Sequence, residues 1–120
     1  MLEMLSDLLE VDDILFVVKS GGATAEIRGG GLQARKKDKW ITMGKNDDPA
    51  HMHIDSEIVC SAEFVQKERP GRTSFGVMFF DEKGERVLAA FFTKMYDESG
   101  VLIPEKKAIY DRLEQKYRKK

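Results

Sequence analysis

The chain has 120 residues, 42% of them hydrophobic and 34% charged, with 20 basic against 21 acidic side chains and a formal net charge of −1. That length suits one domain around one core, no apolar run reaches the roughly 18 residues that span a bilayer, and the balanced charge offers no global field for gathering nucleic acid. Cys60 is the only cysteine, which excludes an intramolecular disulfide framework and a zinc site built on several thiolates.

Leu2, Leu5, Leu8 and Leu9 recur at intervals of three and four with Glu3, Asp7 and Glu10 between them, the pattern of a short amphipathic helix that must dock on something. The same stretch has no basic leader before an apolar run, so it does not read as a secretory signal, and a bacterial, cytoplasmic setting is expected. DILFVV, residues 13 to 18, is a compact β-branched and aromatic run ending at Ser20-Gly21-Gly22, a buried strand followed by a turn. Residues 23 to 28 return as its partner, and Gly29-Gly30-Gly31 permits a sharp change of direction. A phosphate cradle in these glycines lacks the Lys-Ser/Thr and the helix that such a loop requires.

The basic GLQARKKDK, residues 31 to 39, reads as a solvated strand edge, where charge discourages edge-to-edge pairing. Residues 40 to 43 make a short strand and KNDDP a polar turn. Residues 58 to 65 alternate, placing Ile58, Cys60, Ala62 and Phe64 on one face of a strand, with Cys60 as a small buried thiol. TSFGVMFF (73 to 80), Asp81-Glu82-Lys83-Gly84 and RVLAAFFT (86 to 93) form the strongest hairpin signal in the chain. Both of its faces are apolar, so both should be covered: by helices on one side, and by a second sheet, a partner subunit or a flat ligand on the other. Pro104 suits the first turn of a closing helix with Ile109, Leu113 and Tyr117 on one stripe, ending in a frayed basic Arg118-Lys119-Lys120. The expected fold is therefore α+β: one domain over residues 1–120, an antiparallel sheet flanked by a short N-terminal and a C-terminal helix.

Both histidines lie in HMHID, residues 51 to 55. On a strand, the period of two puts His51, His53 and Asp55 on one face, roughly 7 Å between successive Cα atoms, with Met52 and Ile54 towards the core. Imidazoles suit zinc, copper or haem iron, and a carboxylate from Asp55 or Glu57 can complete or orient such a site. Equally, half-exposed strand histidines with hydrogen-bond partners fit the same pattern. No G-x-S-x-G elbow marks a nucleophile. Lys67, Arg69 and Arg72 surround Pro70-Gly71, and Lys94 and Tyr96 follow the last strand; such cations beside an apolar sheet either hold the carboxylates of an apolar ligand or line a solvated loop.

From MHID at 52 to 55, through AEFVQKERPGRTS at 62 to 74 and the FFDEKGERVLAAFF hairpin at 79 to 92, to the helix after Pro104, the chain resembles the haem-utilisation carriers of the ChuX/HutX type, whose fold is half that of the two-repeat haem-trafficking proteins. DILFVVKSGGATAEIRGG upstream resembles the strand, glycine turn and strand of that family. The resemblance implies a homodimer with a curved antiparallel sheet in each subunit, and haem held by histidine or tyrosine. His51 or His53 would match the strand histidine, Arg72 the arginine of the family's Gly-Arg-x-Ser segment and Lys94 its basic cluster, where propionates are met, with Tyr96 beside it. Phe75, Met78, Phe91 and Phe92 would offer apolar surface to the porphyrin. The likeness departs in three places: the longer N-terminal helical region has no counterpart, the ERPGRTS loop is shorter, and Ala89-Ala90 stands where a basic residue is usual.

Three functions compete on this evidence. The first is a haem-binding, haem-trafficking protein without chemistry of its own, with haem or a similar apolar small molecule as its partner and neither nucleic acid nor membrane. The second is a metal-dependent or other small-molecule-binding enzyme using His51, His53 and Asp55. The third is a dimeric module without a ligand, whose hairpin only forms an interface.

Overall fold

The structure, a computed structural model, describes residues 1–118. Helix α1 spans Leu2–Leu9, and eight strands follow before the closing helix α2, Pro104–Tyr117. The strands are β1 (Ile14–Ser20), β2 (Ala23–Arg28), β3 (Ala34–Lys37), β4 (Trp40–Met43), β5 (Met52–Asp55), β6 (Ser61–Arg69), β7 (Arg72–Phe80) and β8 (Arg86–Phe92). They form a five-stranded sheet in the order β2-β1-β8-β7-β6 and a three-stranded sheet in the order β3-β4-β5. Every pairing is antiparallel, so the α+β architecture expected from the strand and helix signals is the one found. No helix among the described residues is long and apolar enough to cross a membrane.

Register explains the burial. Phe75 pairs Phe92, Val77 pairs Ala90 and Phe79 pairs Leu88, and cross-strand partners share a face of the sheet. All six are buried, joining Ile14 and Phe16 of β1 and Leu5, Leu8 and Leu9 of α1 in one core cluster. Ile41, Met43 and Ile54 of the small sheet and Tyr110 and Leu113 of α2 belong to the same cluster. The helices and the small sheet thus share the inner face of the large sheet. On the outer face of the single chain Leu15, Val65, Met78, Phe80 and Phe91 remain half-buried.

Three local expectations give way. The alternating strand begins at Ser61, not at residue 58: Ile58 is 54% exposed, because Asp55 carbonyl oxygen accepts the backbone N–H groups of Ile58 and Val59 and rolls the chain into a turn. Cys60 consequently lies exposed, its backbone N–H donated to Phe80 O at 3.0 Å. QKERPGRTS is no loop, since pairing continues to Arg69 opposite Arg72 and only Pro70 and Gly71 turn the corner, Gly71 at φ 81°. The stripe on α2 is centred on Tyr110 and Leu113, the buried pair, with Ile109 and Tyr117 half-buried beside them. Of the basic tail, Arg118 is exposed, while Lys119 and Lys120 lie outside the described residues.

Candidate functional site

Strand β5 is short, and β4 positions it. Ile41 pairs Ile54 and Met43 pairs Met52 on the core side, while Thr42 pairs His53 and Trp40 pairs Asp55 on the other. The two-residue period therefore turns His53 outward with Thr42 beside it, and Thr42 Oγ1 lies 2.9 Å from His53 Nδ1. His51 sits just before the strand, where its Nδ1 donates to Asp48 O at 2.9 Å. Its placement depends on Gly44: at φ 85°, a Cβ there would stand 2.7 Å from Ala50 O and 3.2 Å from His51 Cβ, closer than backbone tolerates. The two rings stand 5.5 Å apart, centre to centre, with planes at 70°.

Asp55 shares that face, and its carboxylate is engaged by other groups. Its carboxylate is 3.2 Å from Lys39 Nζ and accepts the Glu57 N–H at 3.0 Å. Desolvation pushes its pKa up, yet the Glu57 N–H and the Lys39 ammonium outweigh it and hold the carboxyl below its ordinary 3.8. Among the described residues no group of three or more His, Cys, Asp and Glu side chains is arranged to hold a metal ion. The imidazole pair stands without a carboxylate ligand.

His53 borders a hollow of about 260 Å³ whose other walls include Val18, Trp40, Met52, Ile58 and Val87. Trp40 is 44% exposed, with Lys39 Nζ 5.4 Å from its ring centre. The lining is almost wholly apolar, the polar exceptions being His53 and Asp55. Such a surface takes up a flat hydrophobic group and offers it one nitrogen ligand.

The remaining predicted residues gather elsewhere. Arg72, Phe75, Phe91, Phe92, Lys94 and Tyr96 border a second hollow of about 180 Å³, beyond the far end of β8 from Val87 and Leu88. Phe75 and Phe92 form its buried floor, at 2% and 5% exposure. The Tyr96 hydroxyl is fully engaged, accepting from Thr73 N and donating to Thr73 O, both at 2.8 Å. Arg72 and Lys94 are exposed. Met78 belongs to neither hollow and lies on the outer face of the large sheet. The predicted residues thus form two groups, an imidazole group and a cation group, joined by β8.

Sequence reasoning missed Asp13, Thr42 and Trp40. Asp13 approaches Lys94 Nζ at 3.3 Å and Lys106 Nζ at 3.8 Å, countering these two cations from the turn before β1, distant in sequence. Thr42 was findable, since two paired four-residue strands bring it opposite His53. Asp13 was not, because only the β1–β8 pairing brings it near Lys94.

The fold, compared with known proteins, has clear relatives. No curated protein matches the sequence. Among solved structures, ChuX superposes with a TM-score of 0.79 at 15% identity, covering 95% of this chain and 69% of that one. A protein from Agrobacterium tumefaciens gives 0.78 at 22% identity, covering 97% and 66%. The E. coli haem oxygenase ChuS gives 0.69 at 14% identity, covering 92% of this chain and 33% of its own length. At these identities the likenesses are of fold, and the chain spans about two thirds of the ChuX and Agrobacterium chains. A protein-family model matches residues 2–119, all but the ends of the sequence. The chain belongs to the ChuX/HutX-like family.

Proposed function

We propose that this protein binds haem, or a closely similar flat apolar ligand, and carries it without chemistry of its own as part of cytoplasmic iron utilisation in a bacterium. The observation that carries this reading is the His53 hollow: an imidazole with Nδ1 held by Thr42, at the border of walls made by Val18, Met52, Ile58 and Val87. Nε2 is then the nitrogen left for iron, and the hydroxyl that orients the ring plays the supporting part that metal-bound histidines require. Haem-binding ChuX and holo-PhuS share the fold, which supports the ligand class.

The hollow, at about 260 Å³, lies below the roughly 300–1,000 Å³ of complete small-molecule sites. One subunit would therefore receive only part of a porphyrin, and a second subunit would cover the rest. The half-buried Leu15, Met78, Phe80 and Phe91 on the outer face of the large sheet suit such pairing, with Arg72 and Lys94 as cations for the propionates and His51 as the alternative ligand. Phe75 and Tyr96 would shape the cation hollow instead of touching iron.

Haemin titration of tag-free protein tests the reading. A saturable Soret shift is expected, reduced at least tenfold in affinity by His53→Ala and less by His51→Ala. A wild-type protein that gives no saturable shift removes it.

A further inference from the structure

We infer that His51 and His53 together form a chelating site for a single borderline divalent cation, of the Cu²⁺, Ni²⁺ and Zn²⁺ class, that needs no porphyrin. The inference goes beyond the haem reading: it shares with it His53 and the Thr42 hydrogen bond, but it needs neither the apolar hollow nor a second subunit.

Three observations carry it. Nδ1 of each ring is occupied, His51 donating to Asp48 O and His53 paired with Thr42 Oγ1, both at 2.9 Å. A carbonyl oxygen can only accept, so neutral His51 carries its proton on Nδ1 and its lone pair on Nε2; His53 takes the same tautomer when Thr42 accepts. Both rings then present the nitrogen that a metal requires, each oriented from behind by an oxygen as metal-bound imidazoles are.

Second, the spacing fits. Imidazoles bound through Nε2 at about 2.0–2.1 Å have their ring centres about 3.2 Å from the ion. Centres 5.5 Å apart would subtend about 120° at an ion that both Nε2 atoms reach, between the trigonal and tetrahedral values that nitrogen ligands adopt around these metals. Ring planes at 70° allow this, because two inclined planes share a line, and an ion on that line bonds both rings where it also meets each Nε2 lone pair.

Third, the pair is framed by fixed structure. His53 is paired into the sheet opposite Thr42, and His51 is packed over Gly44, where the backbone leaves no room for a side chain. Two donors held in advance lose less entropy on chelation than two on a free loop. With Asp55 paired to Lys39, water or an incoming ligand completes the coordination, which makes the site one for binding or sensing a cation and not a closed structural centre.

Calorimetric titration of tag-free protein with copper, nickel and zinc chlorides is the test. One ion per chain is expected, with Cu²⁺ tightest in keeping with the general affinity order. His51→Ala and His53→Ala should each weaken Cu²⁺ at least tenfold, and Thr42→Val should weaken it less while leaving the far-ultraviolet circular dichroism unchanged. Electron paramagnetic resonance of the wild-type copper complex should show two nitrogen ligands, a readout that holds even if a variant misfolds. Absence of stoichiometric copper, or copper bound equally well by both alanine variants, overturns the site. Because no porphyrin is added, a failed haemin titration leaves this result untouched, and a failed copper titration leaves the haem reading untouched.

Discussion

Lys94 and Asp13 hold one another at 3.3 Å, and each stands in the left-handed backbone region, at φ 56° and 62°. Neither is glycine, so each pays the Cβ penalty of that conformation, on the order of 1–2 kcal/mol. The node around them is dense. Thr93 Oγ1 donates to Asp13 O at 2.5 Å, Arg28 Nη1 donates to Thr93 Oγ1 at 2.6 Å, and Lys106 Nζ donates to Lys94 O at 2.7 Å. The end of β8, the start of β1 and the start of α2 are tied at one point.

Lys94→Gly separates fold from binding there. Glycine relieves the left-handed strain, while the exposed ion pair it removes contributes at most about 1 kcal/mol. The thermal midpoint is therefore expected to stay within a few degrees of wild type or to rise. Haemin affinity is expected to fall severalfold, because a propionate loses a cation. Calorimetry and a Soret titration on the same sample check both; a large drop in midpoint would show that the lysine serves the fold.

Gly29 and Gly30 make a paired test of packing. A Cβ on Gly29 would stand 2.9 Å from Leu9 Cδ2, 2.9 Å from Phe16 Cε2 and 3.0 Å from Ile14 Cγ2, whereas one on Gly30 meets nothing within 4 Å. Gly29→Ala should cost about 1–3 kcal/mol through overpacking, and Gly30→Ala less than about 0.5 kcal/mol. Urea denaturation midpoints distinguish them. Equal effects would mean that α1 does not sit where the core places it.

The two helices are clamped by a charge. Tyr117 donates its hydroxyl to Asp7 Oδ2, and Lys116 Nζ lies 2.7 Å from the same oxygen. Burial would raise the Asp7 carboxyl, but the Lys116 and Tyr117 hydrogen bonds and the Lys116 charge outweigh it and hold the pKa below the usual 3.8. Burial and the bond to Asp7 push Tyr117 up to about 12 from 10.0. A depressed carboxylate stabilises the fold above its unfolded pKa and ceases to do so as pH falls through the folded one. A raised phenol stabilises below 10 and loses that contribution as pH climbs towards 12. Asp7→Asn is expected to cost about 1–2 kcal/mol at neutral pH and to flatten the stability profile below about pH 4 and above about pH 10. Midpoints across that range decide it, and an unchanged profile would dismiss the clamp.

Tyr110 anchors α2 to the large sheet. It is 1% exposed and meets Phe64, Phe75 and Phe92 edge-on, with ring centres 5.7, 5.1 and 5.0 Å away. Tyr110→Ala removes the largest fully buried side chain and should destabilise by about 3–5 kcal/mol. Loss of near-ultraviolet dichroism together with a lowered midpoint is the expected signature, and a loss under 1 kcal/mol would deny α2 its place in the core.

How far the fold was legible follows from the range of the forces involved. The leucines of α1, the DILFVV strand, the Phe-rich hairpin and the Pro104 helix start are local patterns, each written in consecutive residues, and all stand where the pattern put them. Cys60 failed because alternation cannot reveal the turn formed by Asp55, whose carbonyl captures two backbone N–H groups just upstream. The histidine face was legible as a period of two. That Asp55 would pair with Lys39 was not, since Lys39 arrives from the turn before β4.

The sequence by itself determined most of the secondary elements, the family and the apolar character of both hairpin faces, because these depend on short-range spacing and on side-chain type. Only the tertiary structure decided that both helices and the small sheet crowd one face, that Asp13 neutralises Lys94, and that His53 and the cation cluster border separate hollows. Those outcomes depend on strand order and register, which bring distant residues together through packing that no local pattern encodes.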